Sequence, residues 1–354
     1  MDISYDKISK LYVLGNTTYT KEEFVAYIES DMLQSALATR SGSFEVDTSN
    51  IEEEKATDKE GVNVLLYGVP GAGKSHIVDS KISKCYSERV VFHPDYTYSD
   101  FVGQILPRIV DGRLTYVFEP GPFTKMLKRA YADPAHMYYL VIEEINRGNA
   151  PAIFGDIFQL LDRNEDGSGK YSISNYDMAS VIFGDENHSI MMPTNLSIYA
   201  TMNTSDQNVF TLDTAFQRRW EMYLVQNNVE TASHANENIE GSSISWGVFA
   251  KITNDEIIRL SEEVGNSADK RLGAYFARAS ELSRNKFPEK VLKYLWDDAF
   301  KMDHYAYFSD DITTLDSIIE IFNDDVVGVD PLKRILRYNV YAKMLGKTVP
   351  EDAV

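Results

Sequence analysis

Cysteine occurs once in 354 residues, as Cys85, which excludes an internal disulfide and makes a cytoplasmic setting the simpler expectation. Its place in an expected helix reads as a small packed residue and not as a nucleophile. The six histidines stand far apart, and no Cys/His spacing suggests a metal cage. No apolar run approaches the roughly 18 residues that cross a bilayer, and the N-terminus lacks a signal-peptide core, so no membrane role is expected. Basic residues are also short. There are 35 Lys and Arg against 54 Asp and Glu, a net charge of −19. A domain that grips nucleic acid unaided needs a basic face, so the whole chain is a poor stand-alone DNA binder. Residues 1–60 already carry 13 acidic and 6 basic side chains.

What is present is ordinary for a globular protein of two packed domains, with 44% hydrophobic and 25% charged residues. Residues 1–60 read as a helical preface and an acidic connector. Thr20-Lys-Glu-Glu23 has the pattern of a capping box before Phe24, Val25, Tyr27 and Ile28, and Ser41 to Glu60 is polar. From 61 to 225 short apolar strands alternate with helical patterns, which predicts an α/β fold with a parallel sheet. The expected strands are Val62–Tyr67, Val90–His93, Tyr138–Ile142, Leu196–Met202 and Trp220–Val225. Ala150–Asp162 has the clearest helical stripe, and Asp111-Gly112 predicts a β-hairpin insertion over Leu106–Phe118. Residues 226–245 read as a polar linker. Residues 246–354 read as an all-helical lid, with helices expected at Trp246–Val264, Leu272–Leu282, Pro288–Phe300 and Pro331–Leu345.

Four stretches carry chemistry. Gly68-Val69-Pro70-Gly71-Ala72-Gly73-Lys74-Ser75 matches G-x-x-x-x-G-K-[ST] and lies between a strand and a helix. Backbone N–H groups of such a loop wrap phosphates, with Lys74 set against the β- and γ-phosphates and Ser75 ligating Mg²⁺. The nucleotide-binding stretch is expected to run on to His76. Tyr138–Ile142 ends in two carboxylates: Glu143 is assigned to the metal and Glu144 to the attacking water. Aspartate is usual at the first position, so Glu143 is a departure that keeps the charge. Leu196–Met202 delivers Asn203, whose amide both donates and accepts and can sense the γ-phosphate. Asn203-Thr-Ser-Asp206 read alone is also an ordinary turn signal. Finally, Arg218 and Arg219 end a helix just before a strand. They fit either a solvated helix C-terminus or a cation offered across a subunit boundary.

In this order the motifs resemble the AAA+ superfamily, and within it the McrB-like branch of modification-dependent restriction systems. Glu143-Glu-Ile-Asn-Arg-Gly-Asn149, Ile153-Phe-Gly-Asp-Ile-Phe-Gln-Leu-Leu-Asp162 and Ala200-Thr-Met-Asn-Thr-Ser-Asp206 carry the likeness. Met202-Asn-Thr-Ser-Asp206 follows the family's M-N-T-A-D-R, with Gln207 in place of the arginine. Phe92-His-Pro-Asp-Tyr-Thr-Tyr-Ser-Asp-Phe101 is similar to the family's segment after its second strand. The resemblance implies an AAA+ P-loop core with β-hairpin insertions and a helical lid, assembled as a ring, a hexamer by expectation, with sites shared between subunits. It implies that Asn203 and Asp206 position water and that Arg218 or Arg219 acts in trans. Lys270-Arg271-Leu-Gly-Ala-Tyr-Phe276 is similar to the segment that offers a second sensor, with Arg271 the candidate. The resemblance implies ATP or GTP as substrate, with Mg²⁺, since McrB proteins prefer GTP and most AAA+ relatives use ATP. A McrC-like nuclease partner is implied, with DNA reached through another domain or subunit. Three other readings use the same residues: a MoxR-like chaperone that remodels a protein client, a monomeric small-molecule kinase, and a scaffold that does not hydrolyse.

Overall fold

The computed structural model describes residues 3–6, 11–14, 17–19, 60–82, 86–110, 112–204, 209–264, 270–324 and 326–347. The pattern expected at Thr20–Ile28, the position of Cys85, and Asp206 lie outside them. Two compact units divide at Glu54 and Lys55. In the first, where a helical preface was expected, the described residues are three strands, β1 (Ile3–Asp6), β2 (Leu11–Leu14) and β3 (Thr17–Tyr19), with β2 paired antiparallel to each of the others. Its strands are rich in β-branched and aromatic residues. Leu14 at the end of β2 pairs with Thr17 at the start of β3.

The second unit is built on five parallel strands: β4 (Asn63–Gly68), β5 (Ser87–Val91), β8 (Tyr138–Glu143), β9 (Leu196–Asn203) and β10 (Glu221–Leu224). Their order is β10-β4-β9-β8-β5. Apolar residues face both ways from the central strands, as a doubly covered sheet requires. Leu65, Leu140, Ile142 and Ile198 pack with Phe92, Phe101, Phe123 and Phe154 on one side. Val64, Leu66 and Val141 pack with Val78 on the other. The anticipated hairpin is present as β6 (Gly103–Val110) and β7 (Arg113–Pro120). The stripe expected to be one helix over Ala150–Asp162 is broken. An α-helix covers Ala150–Phe154, and Gly155, at φ 51°, turns the chain into a 3₁₀ segment through Leu161. A Cβ at Gly155 would also press on the ring of Tyr98 at 2.8 Å.

A third cluster, around Trp246, Phe249, Phe287, Leu295, Phe300 and Phe322, is the core of the C-terminal helices. The stretch expected to be a linker belongs to it: Val229, Ala232, Ala235, Ile239 and Ile244 are buried there. A long helix spans Trp246–Val264 as expected, and π-helical turns cover Pro288–Leu292 and Leu295–Ala299. Leu272–Leu282 is not a helix, holding a single 3₁₀ turn at Ala279–Glu281. The last expected helix is split into Pro331–Ile335 and Tyr338–Met344. Among the described residues no helix is long and apolar enough to cross a membrane.

One largely buried guanidinium ties the starts of β4 and β9 to the turn at Gly167. Arg163 donates from Nε to Asn63 Oδ1 at 2.9 Å, and from its terminal nitrogens to Gly167 O at 2.8 Å and Leu196 O at 2.7 Å. Burial lowers its pKa to about 10, so it stays charged at neutral pH. Arg163→Met leaves these acceptors buried without a donor and is expected to cost about 3 kcal/mol. A urea midpoint unchanged from that of the parent protein would contradict this role.

Candidate functional site

The strand order brings three chain segments side by side at the carboxyl edge of the sheet. Gly68 at the end of β4 pairs with Asn203 at the end of β9, and β8 runs beside β9 to end at Glu143. From Gly68 the chain turns through the phosphate loop into helix α1 (Lys74–Lys81). Gly71 and Gly73 hold φ of 76° and 96°, a region in which side chains with a Cβ are strained. Lys74 is buried, and its ammonium donates to Gly68 O and Val69 O at 2.9 Å each and to Asn203 Oδ1 at 2.7 Å. The other end of the Asn203 amide donates to Glu144 Oε1 at 2.6 Å. Asn146 fixes Asn203 from behind by donating to its carbonyl at 2.9 Å.

Glu144 itself sits at φ 54° and ψ 48°, the one non-glycine among the described residues at positive φ. Such a conformation costs about 1–3 kcal/mol and marks a place where neighbours over-determine the backbone. Here the Glu144 N–H donates to Thr201 Oγ1 at 3.3 Å, and Arg147 pairs with the Glu144 carboxylate at 3.6 Å. Glu143 points elsewhere. Its Oε2 accepts from Ser75 Oγ at 3.2 Å and from the hydroxyl of Thr201, while its Oε1 accepts from Arg89. A hydroxyl and a carboxylate oxygen thus converge beside the phosphate loop, the hard oxygen donors that suit Mg²⁺. The two carboxylates at the end of β8 are therefore held apart, one toward Ser75 and the other toward Asn203.

The two arginines differ sharply. Arg219 turns inward: Nε pairs with Asp162 at 2.7 Å, a terminal nitrogen donates to Ala215 O at 2.6 Å, and the guanidinium lies 4.0 Å from the centre of the Phe158 ring. Arg218 is exposed. Both precede β10, whose Glu221 pairs with Val64 at the start of β4. Four strand residues separate that level from Gly68, about 13 Å at the usual rise, so Arg218 is remote from the phosphate loop of its own chain. His76 is exposed on α1.

Residues 63–220 match the family model described as an AAA domain of the dynein-related subfamily. The chain is 35% identical over 308 residues to the type II restriction enzyme BsuMI component YdiS of Bacillus subtilis strain 168, a match covering 75% of this chain and 88% of that protein. The chain belongs to the McrB-like family of AAA+ NTPases. It is also 26% identical over 181 residues to the type IV methyl-directed restriction enzyme EcoKMcrB subunit of Escherichia coli K12, covering 49% of this chain and 37% of that protein. A solved structure of a Cytophaga hutchinsonii protein aligns over 82% of this chain and 86% of its own at 14% identity, with a TM-score of 0.33, too low to bear on the fold.

In this McrB-like chain the lid reaches the phosphate loop through a segment that periodicity had suggested was helical. Tyr275 N–H donates to Gly71 O at 2.8 Å. Asn254 holds both the N–H and the carbonyl of Leu272, at 2.7 and 2.9 Å. Asn227 bonds Leu272 O at 2.7 Å and Ala274 N–H at 3.1 Å, and Trp246 donates to Ala274 O at 2.9 Å. Arg271 lies just before this clamped loop, half-buried. Sequence reasoning gave no role to Arg89, Thr201 or Arg147, and expected a helix where the loop at Gly273 lies. Only Thr201 had a readable signal, since it stands two residues before Asn203 on one face of a strand. A Cβ at Gly273 would come within 2.2 Å of Pro70 O and 2.3 Å of the Gly71 carbonyl carbon. Gly273→Ala must therefore push the loop off the phosphate-binding segment, at the 1–3 kcal/mol typical of overpacking, and is expected to weaken nucleotide binding by roughly tenfold or more. Titration with a fluorescent nucleotide checks this, and an unchanged Kd would show that the contact is dispensable.

Proposed function

We propose that this chain is the NTP-hydrolysing motor of a McrBC-like DNA restriction complex, with sites completed by a neighbouring copy of the chain in a ring, a hexamer by family likeness. The observation that carries the shared site is the contrast between the arginines. Arg219 is held by Asp162 and Phe158, whereas Arg218 is exposed and remote from its own phosphate loop. In this reading Arg218 is the cation offered in trans, a choice between the two that the sequence leaves open. Arg219 keeps the helix end in place.

Within one chain the phosphate loop, residues 68–75, cradles the triphosphate of ATP or GTP. Lys74 transfers its N–H donors from Gly68 O, Val69 O and Asn203 to phosphate oxygens. Ser75 and Glu143 hold Mg²⁺, which supplies charge neutralisation at the phosphates when bound. Once Lys74 leaves Asn203, the amide is free to face the γ-phosphate and its water. Glu144, which accepts a hydrogen bond from that amide, orients the water as general base. Asp206 and Arg271 complete the proposed set, the first beside Asn203 in sequence and the second at the lid. A McrC-like nuclease partner is supported by the restriction names of both relatives, and these names leave no reason to prefer the chaperone reading. The charge of −19 supports DNA contact through another domain or subunit. The single cysteine supports a cytoplasmic location.

Arg218→Ala and Glu144→Gln proteins, each tested alone, are expected to lose turnover by about 10³-fold or more. Mixed together they are expected to regain part of it, because some interfaces then pair an intact Arg218 with an intact Glu144. Arg219→Ala is expected to lower the melting temperature, an effect Arg218→Ala lacks. Mixed assemblies shown to contain both variants yet without rescue would contradict a shared site.

A further inference from the structure

Glu143 stands where aspartate is usual, and its longer side chain has an extra methylene through which to wander. The structure supplies a restraint from an unexpected place. Arg89 on β5 lies opposite Val141 on β8, and its guanidinium reaches past that pair to the end of the strand. One terminal nitrogen donates to Glu143 Oε1 and the other to Asp79 Oδ1. Asp79 lies four residues after Ser75 on α1, on the same face of the helix. Ser75 itself meets the other oxygen of Glu143 at 3.2 Å. The carboxylate is thus bound to one helix face twice, directly through Ser75 and indirectly through Arg89 and Asp79.

We propose that Arg89 is a positioning residue for divalent-metal binding, fixing one oxygen of Glu143 so that the other faces Ser75. The planar fork of arginine suits this task because it spans two carboxylates at once, which the point charge of lysine does not. Thr201 supports the same orientation from β9 by donating to Oε2. Arg89 and Asp79 are partly exposed, whereas Glu143 is mostly covered. The charge pairing is therefore screened at its outer end, and geometry is the main effect. Residues that orient a metal ligand from behind commonly change metal affinity by 10–100-fold when removed.

The inference rests on Ser75 and Glu143 as the metal side of the site, and the test separates the two claims. Mn²⁺ binding to the full chain with a non-hydrolysable triphosphate analogue is measured by electron paramagnetic resonance. Ser75→Ala is expected to weaken Mn²⁺ binding, and an unchanged Kd there would remove the underlying reading. Arg89→Met is expected to raise the Mn²⁺ Kd about tenfold. Combined with Glu143→Asp, which has no long arm to restrain, the same change is expected to cost less than about twofold. Should Arg89→Met fail to fold, Arg89→Gln, too short to span both carboxylates, is used with the same expectation. An unchanged or tighter Kd, or an equal loss in both backgrounds, would overturn the proposal.

Discussion

The side-chain amide of Asn203 links the lysine of the phosphate loop to the glutamate that follows the neighbouring strand. It accepts from Lys74 at 2.7 Å and donates to Glu144 at 2.6 Å, so neither charged group is positioned independently of the other. That bridge depends on strand order. Because β9 lies between β4 and β8, Asn203 ends level with Gly68 on one side and beside the turn at Glu144 on the other. Direct neighbours in the other order would leave the two charges with no amide between them. The left-handed conformation of Glu144 follows from the same constraint, since Thr201 and Asn203 on β9 anchor both its backbone and its carboxylate.

Around this bridge the chain divides its work between the sheet and the C-terminal helical cluster. The sheet holds the phosphate loop, the two carboxylates and Asn203. The helical cluster holds a short loop, clamped by Asn227, Asn254 and Trp246, against Gly71. The loop is pressed on the glycine-rich turn, and Gly71 and Gly273 are where the two backbones approach too closely for a side chain. At the opposite edge of the sheet, Arg218 faces outward while its neighbour is buried in the packing of Phe158 and Asp162.

The parts legible in the sequence are those whose local chemistry forces a residue type. The phosphate loop demands glycines at fixed places, and buried parallel strands demand continuous apolar runs that end in functional polar groups. Hence the sheet and the hairpin were readable from the sequence, as was the gathering of Lys74, Glu143, Glu144 and Asn203 at one edge of the sheet. The rest depended on partners distant in the chain. Which arginine turns inward is set by Asp162 and Phe158, more than fifty residues earlier. Leu272–Leu282 has helical spacing, yet side-chain amides at Asn227 and Asn254 capture its backbone first. Residues 226–245 looked like a linker because their buried groups, among them Ala232, Ala235 and Ile239, are few and aperiodic within polar sequence. Arg89 offered no signal at all, for its two partners, Asp79 and Glu143, lie on two other elements.

One protomer, on this account, brings a lysine, a metal side and a water-orienting glutamate to the triphosphate, and leaves the opposing cation to its neighbour. The most direct test is steady-state hydrolysis of ATP and of GTP, each followed across a wide range of protein concentration with Mg²⁺ present. Turnover per chain is expected to rise with concentration and then level off as subunits associate, for whichever nucleotide is used. Turnover per chain that stays constant down to dilutions where the protein is monomeric would contradict it.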